Sequence, residues 1–226
     1  MASQTPKKIG LIVPSSNTVM EPDFYRHLGQ RATLHTARMF LEDVTAEDEA
    51  RMLDEFTLPA ARDLATIRPD VVVFGCTSAG ALRGNPYEEQ LIAEIARVSG
   101  APTLSVNKCV RQTLHKEQAN RLVVVTPYLD ELNVRIRASL EAGGYEVLHI
   151  RGLGIRANTD IARVPGDDIV RLAQQAVEGY QPDALFVSCT NFPAVSVLPR
   201  LRELFPFPVV SSNQAVLDRA LEALVI

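Results

Sequence analysis

The sequence has no CxxC pair and no cysteine–histidine spacing of the kind that holds zinc, and its three cysteines are an odd number. That argues against a disulfide scaffold and a metal site, and the thiols are read as reduced. No apolar run approaches the roughly 20 residues of a membrane helix; Val71–Phe74 and Leu122–Val125 are typical of those present. The chain opens Met-Ala-Ser-Gln-Thr-Pro-Lys-Lys and enters an apolar strand without a signal-peptide core, so a cytoplasmic location is expected and a membrane partner is not. Basic charge is not in excess. The net charge of −4 argues against a nucleic-acid partner, which needs a basic stripe. There is no GxGxxG after the first strand and no GxxxxGK[ST], so a nucleotide cofactor is not expected.

What is present is an ordinary globular composition, 46% hydrophobic and 22% charged over 226 residues. It suffices for one large domain or two lobes of about 100–130 residues. Short β-branched runs alternate with longer amphipathic stretches, the pattern of a mainly parallel sheet with helices on its faces. Strands are predicted at Lys8–Val13, Thr33–Arg38, Val71–Gly75 and Thr103–Ser105, then at Arg121–Thr126, Glu146–Ile150, Ala184–Ser188 and Val209–Ser211. Thr45 and Asp48 form a plausible capping box, and Pro59 predicts a kink further along that helix. A second helix is predicted from Asp130 to Ala142, ending at Gly143-Gly144.

The chain is written twice. Pro14 and Pro127 follow apolar strands and stand 113 positions apart, and Cys76 and Cys189 are separated by the same 113. Thr77 therefore pairs with Thr190, and Ser78 with Asn191. The segment ending at Asn107 parallels the one ending at Asn213, but at an offset of 106. An element must differ in length between the halves. The fold expected is α/β, with two pseudo-symmetric lobes, each a mainly parallel four-stranded sheet flanked by helices, and a cleft between them. Residues 1–106 would form the first lobe, completed by a returning helix at 213–226, and residues 107–212 the second. The crossover near 106–118 is expected to be short or helical.

Ligands of parallel α/β sheets bind outside the carboxyl ends of the strands, and the polar clusters lie there. Pro14-Ser15-Ser16-Asn17-Thr18 follows the first strand and Cys76-Thr77-Ser78-Ala79-Gly80 the third; Thr126-Pro127-Tyr128 and Cys189-Thr190-Asn191 repeat them. Each loop is expected to open a helix and present free N–H groups, which suits a small carboxylate. A thiol at a helix start is expected to have a lowered pKa. Two such thiols on opposite walls could attack or deprotonate from one face and protonate from the other. A lone buried cysteine is ordinary core, which is the reading for Cys109, whereas Cys76 and Cys189 occupy duplicated loops. Asn17 is read as a ligand contact or a helix cap, and Tyr128 as a site residue. Asn107 and Asn213 are read as helix caps, and His27, His35, His115 and His149 as ordinary surface or strand histidines.

The segments GLIVPSSNTVMEPDF, VVVFGCTSAGALRG, VVVTPYLDELN, SCTNFPAV and PVVSSN resemble the maleate cis-trans isomerase branch of the aspartate/glutamate racemase superfamily, and its relatives the arylmalonate decarboxylases. The resemblance spans essentially the whole chain. It implies two lobes with the site between them, no metal or organic cofactor, and a small carboxylate or dicarboxylate substrate. It further implies Cys76 as the nucleophile that adds to the alkene, and Cys189 as the proton donor. Asn17 and Tyr128, with Thr77, Ser78, Thr190 and Asn191 of the two cysteine loops, would hold the carboxylates. Thr77-Ser78 is closer to the decarboxylase loop, where glycine replaces the first cysteine. Three further readings stay open: a two-cysteine racemase of aspartate or another α-substituted acid, an arylmalonate-type decarboxylase, and a non-catalytic carboxylate-binding protein. A homo-oligomer is the common state for such enzymes.

Overall fold

The computed structural model describes residues 6–224. Its first half runs β1 (Lys7–Pro14), α1 (Met20–Leu28), β2 (Ala32–Met39), α2 (Ala46–Arg51), a π-turn at Met52–Phe56, α3 (Thr57–Ala65), β3 (Val71–Phe74), α4 (Thr77–Leu82), α5 (Asn85–Ser99), β4 (Thr103–Ser105) and α6 (Val106–Lys116). The second runs β5 (Arg121–Thr126), α7 (Asp130–Ala142), β6 (Glu146–Gly152), α8 (Asn158–Ile161), α9 (Gly166–Val177), β7 (Ala184–Val187), a 3-10 turn at Val195–Val197, α10 (Leu198–Leu204), β8 (Val209–Ser211) and α11 (Ser212–Ala223). All eight expected strands are found, within a residue or two at their ends.

Two four-stranded sheets form, ordered β2-β1-β3-β4 and β6-β5-β7-β8, and every pairing is parallel. The central strands are buried over all four residues in both β3 and β7. This is why they read as unbroken apolar runs rather than alternating ones: helices cover both faces. The duplication is preserved in the hydrogen-bond register. Ile9 pairs with Val71 in one sheet, and Leu122 with Ala184 in the other. The slip in the repeat lies between β3 and β4, where α4 and α5 stand in place of the 3-10 turn and α10.

The crossover is helical, as expected, and is α6. Helix α11 touches β3, β4 and α1 of the first half as well as β8 and α6. Residues 225 and 226 of the helix expected at 213–226 lie outside the described residues. The Thr45 cap forms, with the Asp48 N–H donating to Thr45 Oγ1 at 3.2 Å and that hydroxyl donating to Asp48 at 2.9 Å. The disturbance expected at Pro59 takes the form of a π-turn just before it. Thr57 Oγ1 closes that turn on Met52 O at 3.2 Å. Helix α7 has the expected bounds, and Gly144 takes the left-handed conformation after it, at φ 90°.

Gly75 places Cys76. Its N–H donates to Ile12 O at 2.7 Å, and an added Cβ would stand 2.7 Å from Met20 Sδ and 3.0 Å from the Ile12 carbonyl oxygen. The methionine can swing away but the backbone cannot. We predict that Gly75→Ala costs about 1–3 kcal/mol, the range for overpacking, read as a lower urea midpoint at unchanged m.

Candidate active site

The carboxyl ends of both sheets face one another, and their loops close a small cavity. It is lined by Pro14, Asn17, Leu41, Val44, Glu49, Cys76, Thr77, Ser78, Tyr128, Asn158, Cys189, Thr190 and Asn191. All eight residues expected at the site are therefore brought together, and all are buried. None of the four histidines lines this cavity. A wider groove beside α6 and α11, with Arg31, Lys116, Arg202 and Arg219 on its walls, contains no cysteine or histidine. Among the described residues no group of three or more His, Cys, Asp or Glu could hold a metal, and no helix is long and apolar enough to cross a membrane.

The two cysteine loops are not copies of each other. Cys76 is extended, at φ −139°, and stands at the N-cap of α4. Cys189 has φ 114°, a region that side chains avoid, and no helix begins there. The chain turns through Thr190 and Asn191 before the 3-10 turn, so the expectation that every loop opens a helix fails at this one. Three hydrogen bonds hold the turn. The Cys189 N–H donates to Ser212 Oγ at 3.1 Å, Thr190 Oγ1 donates to Gly75 O at 3.1 Å, and the Asn191 N–H reaches Cys189 Sγ at 3.3 Å.

Most of the expected contacts turn out to join the protein to itself. The Asn17 amide is engaged at both ends by the protein itself. Its Oδ1 accepts the Val19 and Met20 N–H groups at 3.0 Å each, while its Nδ2 donates to Thr190 Oγ1 at 3.1 Å. Thr77 Oγ1 donates to Ser212 Oγ at 3.0 Å. Asn191 accepts from the Thr18 N–H at 2.9 Å and donates to the Asn158 carbonyl at 2.7 Å. The caps expected of Asn107 and Asn213 are supplied instead by Ser105 and Ser211, which stand two residues earlier and accept from Lys108 and Gln214. Both asparagines reach the site loops: Asn107 Nδ2 donates to Thr77 O and Asn213 Nδ2 to Thr190 O, each at 3.0 Å. The duplication thus extends to the groups behind the cysteines.

The expectation of lowered thiol pKa values is overturned. Burial pushes the Cys76 thiol well above its usual value, and the Glu49 charge adds to this; the Ala79 N–H opposes it. Burial likewise pushes Cys189 up to about 11, against the pull of the Tyr128 hydroxyl and the Asn191 and Phe192 N–H groups. Desolvation of a thiolate buried this deeply exceeds what a few N–H dipoles return. Tyr128 is raised in the same way.

Of the five lining residues outside the expected eight, two are polar, Glu49 and Asn158. Glu49 lies in the run Glu47-Asp48-Glu49 on the first turn of α2, where acids complement the helix dipole and read as solvated. The fold turns Glu49 alone of the three fully inward, at 0% exposure. Burial pushes its carboxyl up to about 8, with the Ser78 hydroxyl opposing and Glu131 reinforcing the shift. Asn158 opens α8 and donates to Ser16 Oγ at 2.8 Å. It belongs to a strap over the cavity: Asp43 and Ala157 form an antiparallel bridge, the Val44 N–H donates to Arg156 O at 2.8 Å, and Arg156 Nε to Asp43 at 2.7 Å.

A two-lobed parallel α/β protein with one thiol from each lobe facing a shared cavity defines a class of enzymes working by thiol addition or two-sided proton transfer. The arylmalonate decarboxylase family model matches residues 9–224, and the chain belongs to that family. It is 29% identical over 220 residues to a maleate isomerase of Nocardia farcinica, covering 92% of this chain and 86% of that one. The maleate isomerase of Pseudomonas putida S16 superposes with a TM-score of 0.92 at 26% identity, over 98% of this chain and 94% of that one. A cysteine-to-serine mutant of the Nocardia farcinica maleate cis-trans isomerase, with a covalently bound succinylcysteine intermediate, gives a TM-score of 0.91 at 26% identity, over 98% and 94% of the two chains.

Two stability measurements test this geometry. Glycine tolerates φ 114° and alanine does not, so Cys189→Gly should be more stable than Cys189→Ala by about 1–2 kcal/mol, reversing their usual order in denaturant titrations. A carboxyl whose pKa rises on folding contributes stability that is present at low pH and lost as pH climbs from its unfolded value through about 8. Glu49→Gln should abolish that loss: its thermal midpoint relative to wild type should rise between pH 5 and 9. An unchanged difference across that range would show Glu49 to be ionised.

Proposed function

We propose that the protein is a cis-trans isomerase of a small unsaturated dicarboxylate, acting on maleate in the manner of its relatives. The observation that carries this reading is that Cys76 and Cys189, from duplicated loops of opposite lobes, line one buried cavity with Tyr128 and Asn17. An arylmalonate-type decarboxylation is not favoured, because a second thiol opposite the first has no task in it.

Cys76 gives its thiol proton to a carboxylate of the bound diacid and adds as thiolate to one alkene carbon, helped by the Ala79 N–H directed at its sulfur. A carbon–sulfur bond forms, and the π electrons pass to the adjacent carbon and its carboxylate. Cys189 gives that carbon its thiol proton, leaving a succinyl thioether on Cys76. The former double bond is now single and rotates. The Cys189 thiolate then takes the proton back, the carbon–sulfur bond breaks, and the trans diacid leaves once Cys76 has recovered its own proton. Tyr128 hydrogen-bonds Cys189 and stabilises its charged form between the two proton transfers. Asn17, with the loops Thr77-Ser78 and Thr190-Asn191, orients the carboxylates. Closing the Asp43–Arg156 strap excludes water, which would otherwise compete for the carbanion. Substrate entry requires that strap to open, since every named lining residue is buried.

Addition of the protein to maleate should deplete the ultraviolet absorbance of maleate and replace it with that of fumarate. Cys76→Ala should remove turnover, and Cys189→Ser should lower kcat by about 10²–10⁴-fold, the range for a lost general acid. Intact-mass analysis of Cys189→Ser with maleate should reveal a succinyl adduct on Cys76. An adduct on Cys189 in the converse variant alone would reverse the roles. Proton exchange at Cα of aspartate in D₂O, without diacid isomerisation, would replace this reading with racemisation.

A further inference from the structure

Glu49 is the ionisable group in the cavity that the two-thiol scheme leaves without a task. It comes from α2, whose start is held by the Thr45 cap, and shares the cavity wall with Cys76, Ser78 and Tyr128. Its two oxygens are not equivalent. Oε1 accepts the Ser78 hydroxyl, and that hydroxyl is also 3.9 Å from Cys76 Sγ. Oε2 is buried and has no hydrogen-bond partner. A buried polar atom without a partner is unusual and calls for an explanation; on a cavity wall the explanation is a ligand.

The charges around Glu49 decide its form. The groups that act on it or share its cavity are Glu131 of α7, Cys76 of α4, Cys189 after β7 and Tyr128 after β5. Each is acidic, and none supplies positive charge. With Ser78 already donating to Oε1, a proton on the carboxyl belongs on Oε2. There it makes a donor fixed in direction, beside the thiol that attacks.

We infer that Glu49 contacts the substrate directly, as a neutral acid whose Oε2 proton is donated to a carboxylate of the bound diacid, so that the site binds a dicarboxylate and a proton together. This rests on the dicarboxylate reading given above. Ionised, the same group would face the substrate carboxylate with like charge in a cavity with no counter-ion. Affinity then falls tenfold for each pH unit above the value at which Glu49 ionises in the free protein, about 8. A neutral donor at this place also selects for an acceptor at that end of the substrate. A methyl or ester end would leave Oε2 without a full partner, a loss that sites built around hydrogen bonds punish strongly.

Succinate, the saturated diacid that cannot react, reports binding free of chemistry. Its affinity for the wild-type protein is measured by calorimetry from pH 6.5 to 9.5, in two buffers of different ionisation enthalpy. Between pH 8.5 and 9.5 the wild type should take up close to one proton per succinate and lose affinity tenfold per pH unit. Neither thiol supplies this limb, since Cys189 is pushed up to about 11 and Cys76 well above its usual value. Glu49→Gln keeps a donor and cannot ionise. It should bind within about threefold of wild type at pH 7 and hold that affinity to pH 9.5. Glu49→Ala should bind at least tenfold more weakly at pH 7, again without pH dependence. A wild type that binds succinate with no proton uptake and no loss above pH 8 overturns the role of Glu49 while leaving the isomerase reading standing. Failure to bind succinate or turn over maleate at pH 6.5 overturns both. The proton count on the wild type needs no variant, so it decides the matter even if a substitution at Glu49 unfolds the chain.

Discussion

Thr190 Oγ1 holds the two halves together at the point where the chemistry lies. It donates across the seam to Gly75 O, just before Cys76, and accepts from Asn17 Nδ2. Two parallel sheets that point their carboxyl ends at each other bury a large number of backbone groups in one seam. Those groups cannot reach water, and an unpaired one costs as much as a lost hydrogen bond or more. The seam is therefore closed by polar side chains from the opposite half. Thr77 reaches Ser212, Asn191 reaches Thr18, and Asn158, itself held by Asn191 within the second half, reaches Ser16. The polar residues flanking each cysteine are first of all the fasteners that bring the second cysteine to the first.

This division leaves few groups free for a ligand. Cys76, Cys189, Tyr128 and Glu49 line one small cavity and all are buried. Burial then controls their chemistry. It raises both thiols, the phenol and the carboxyl together, because each would have to carry negative charge without a cation nearby. Such a site holds its acids protonated at rest and has protons to give. Isomerisation through a thioether uses that condition in one direction and then reverses it. The asymmetry between Cys76 at a helix start and Cys189 in a strained turn gives the two thiols different surroundings despite their common origin.

Much of this was legible in the residues. Eight strands, the parallel pairing and the helix at Asp130–Ala142 followed from short apolar runs, capping residues and a glycine pair, all of which act over a few residues. The two cysteines followed from a 113-residue spacing retained in both sheets. Glu49 was not legible, because three consecutive acids on a helix's first turn look alike until the π-turn and Pro59 set which face of α2 meets the core. Asn158 was hidden in a loop whose path depends on the strap it forms with Asp43 and Val44. The roles of Asn107 and Asn213 were misread because serines two residues upstream of each take the caps and release the amides to reach across.

What the sequence by itself determined is the architecture and the pairing of the cysteines, since strand and helix periodicity and an internal repeat are local or arithmetic properties of the chain. What only the tertiary structure decided is the electrostatic state of the site. Whether a thiol is raised or lowered, and whether Glu49 is a solvated anion or a buried acid, depends on how many water molecules the other lobe displaces. Desolvation is a sum over everything packed around a group, and no single stretch of sequence contains it.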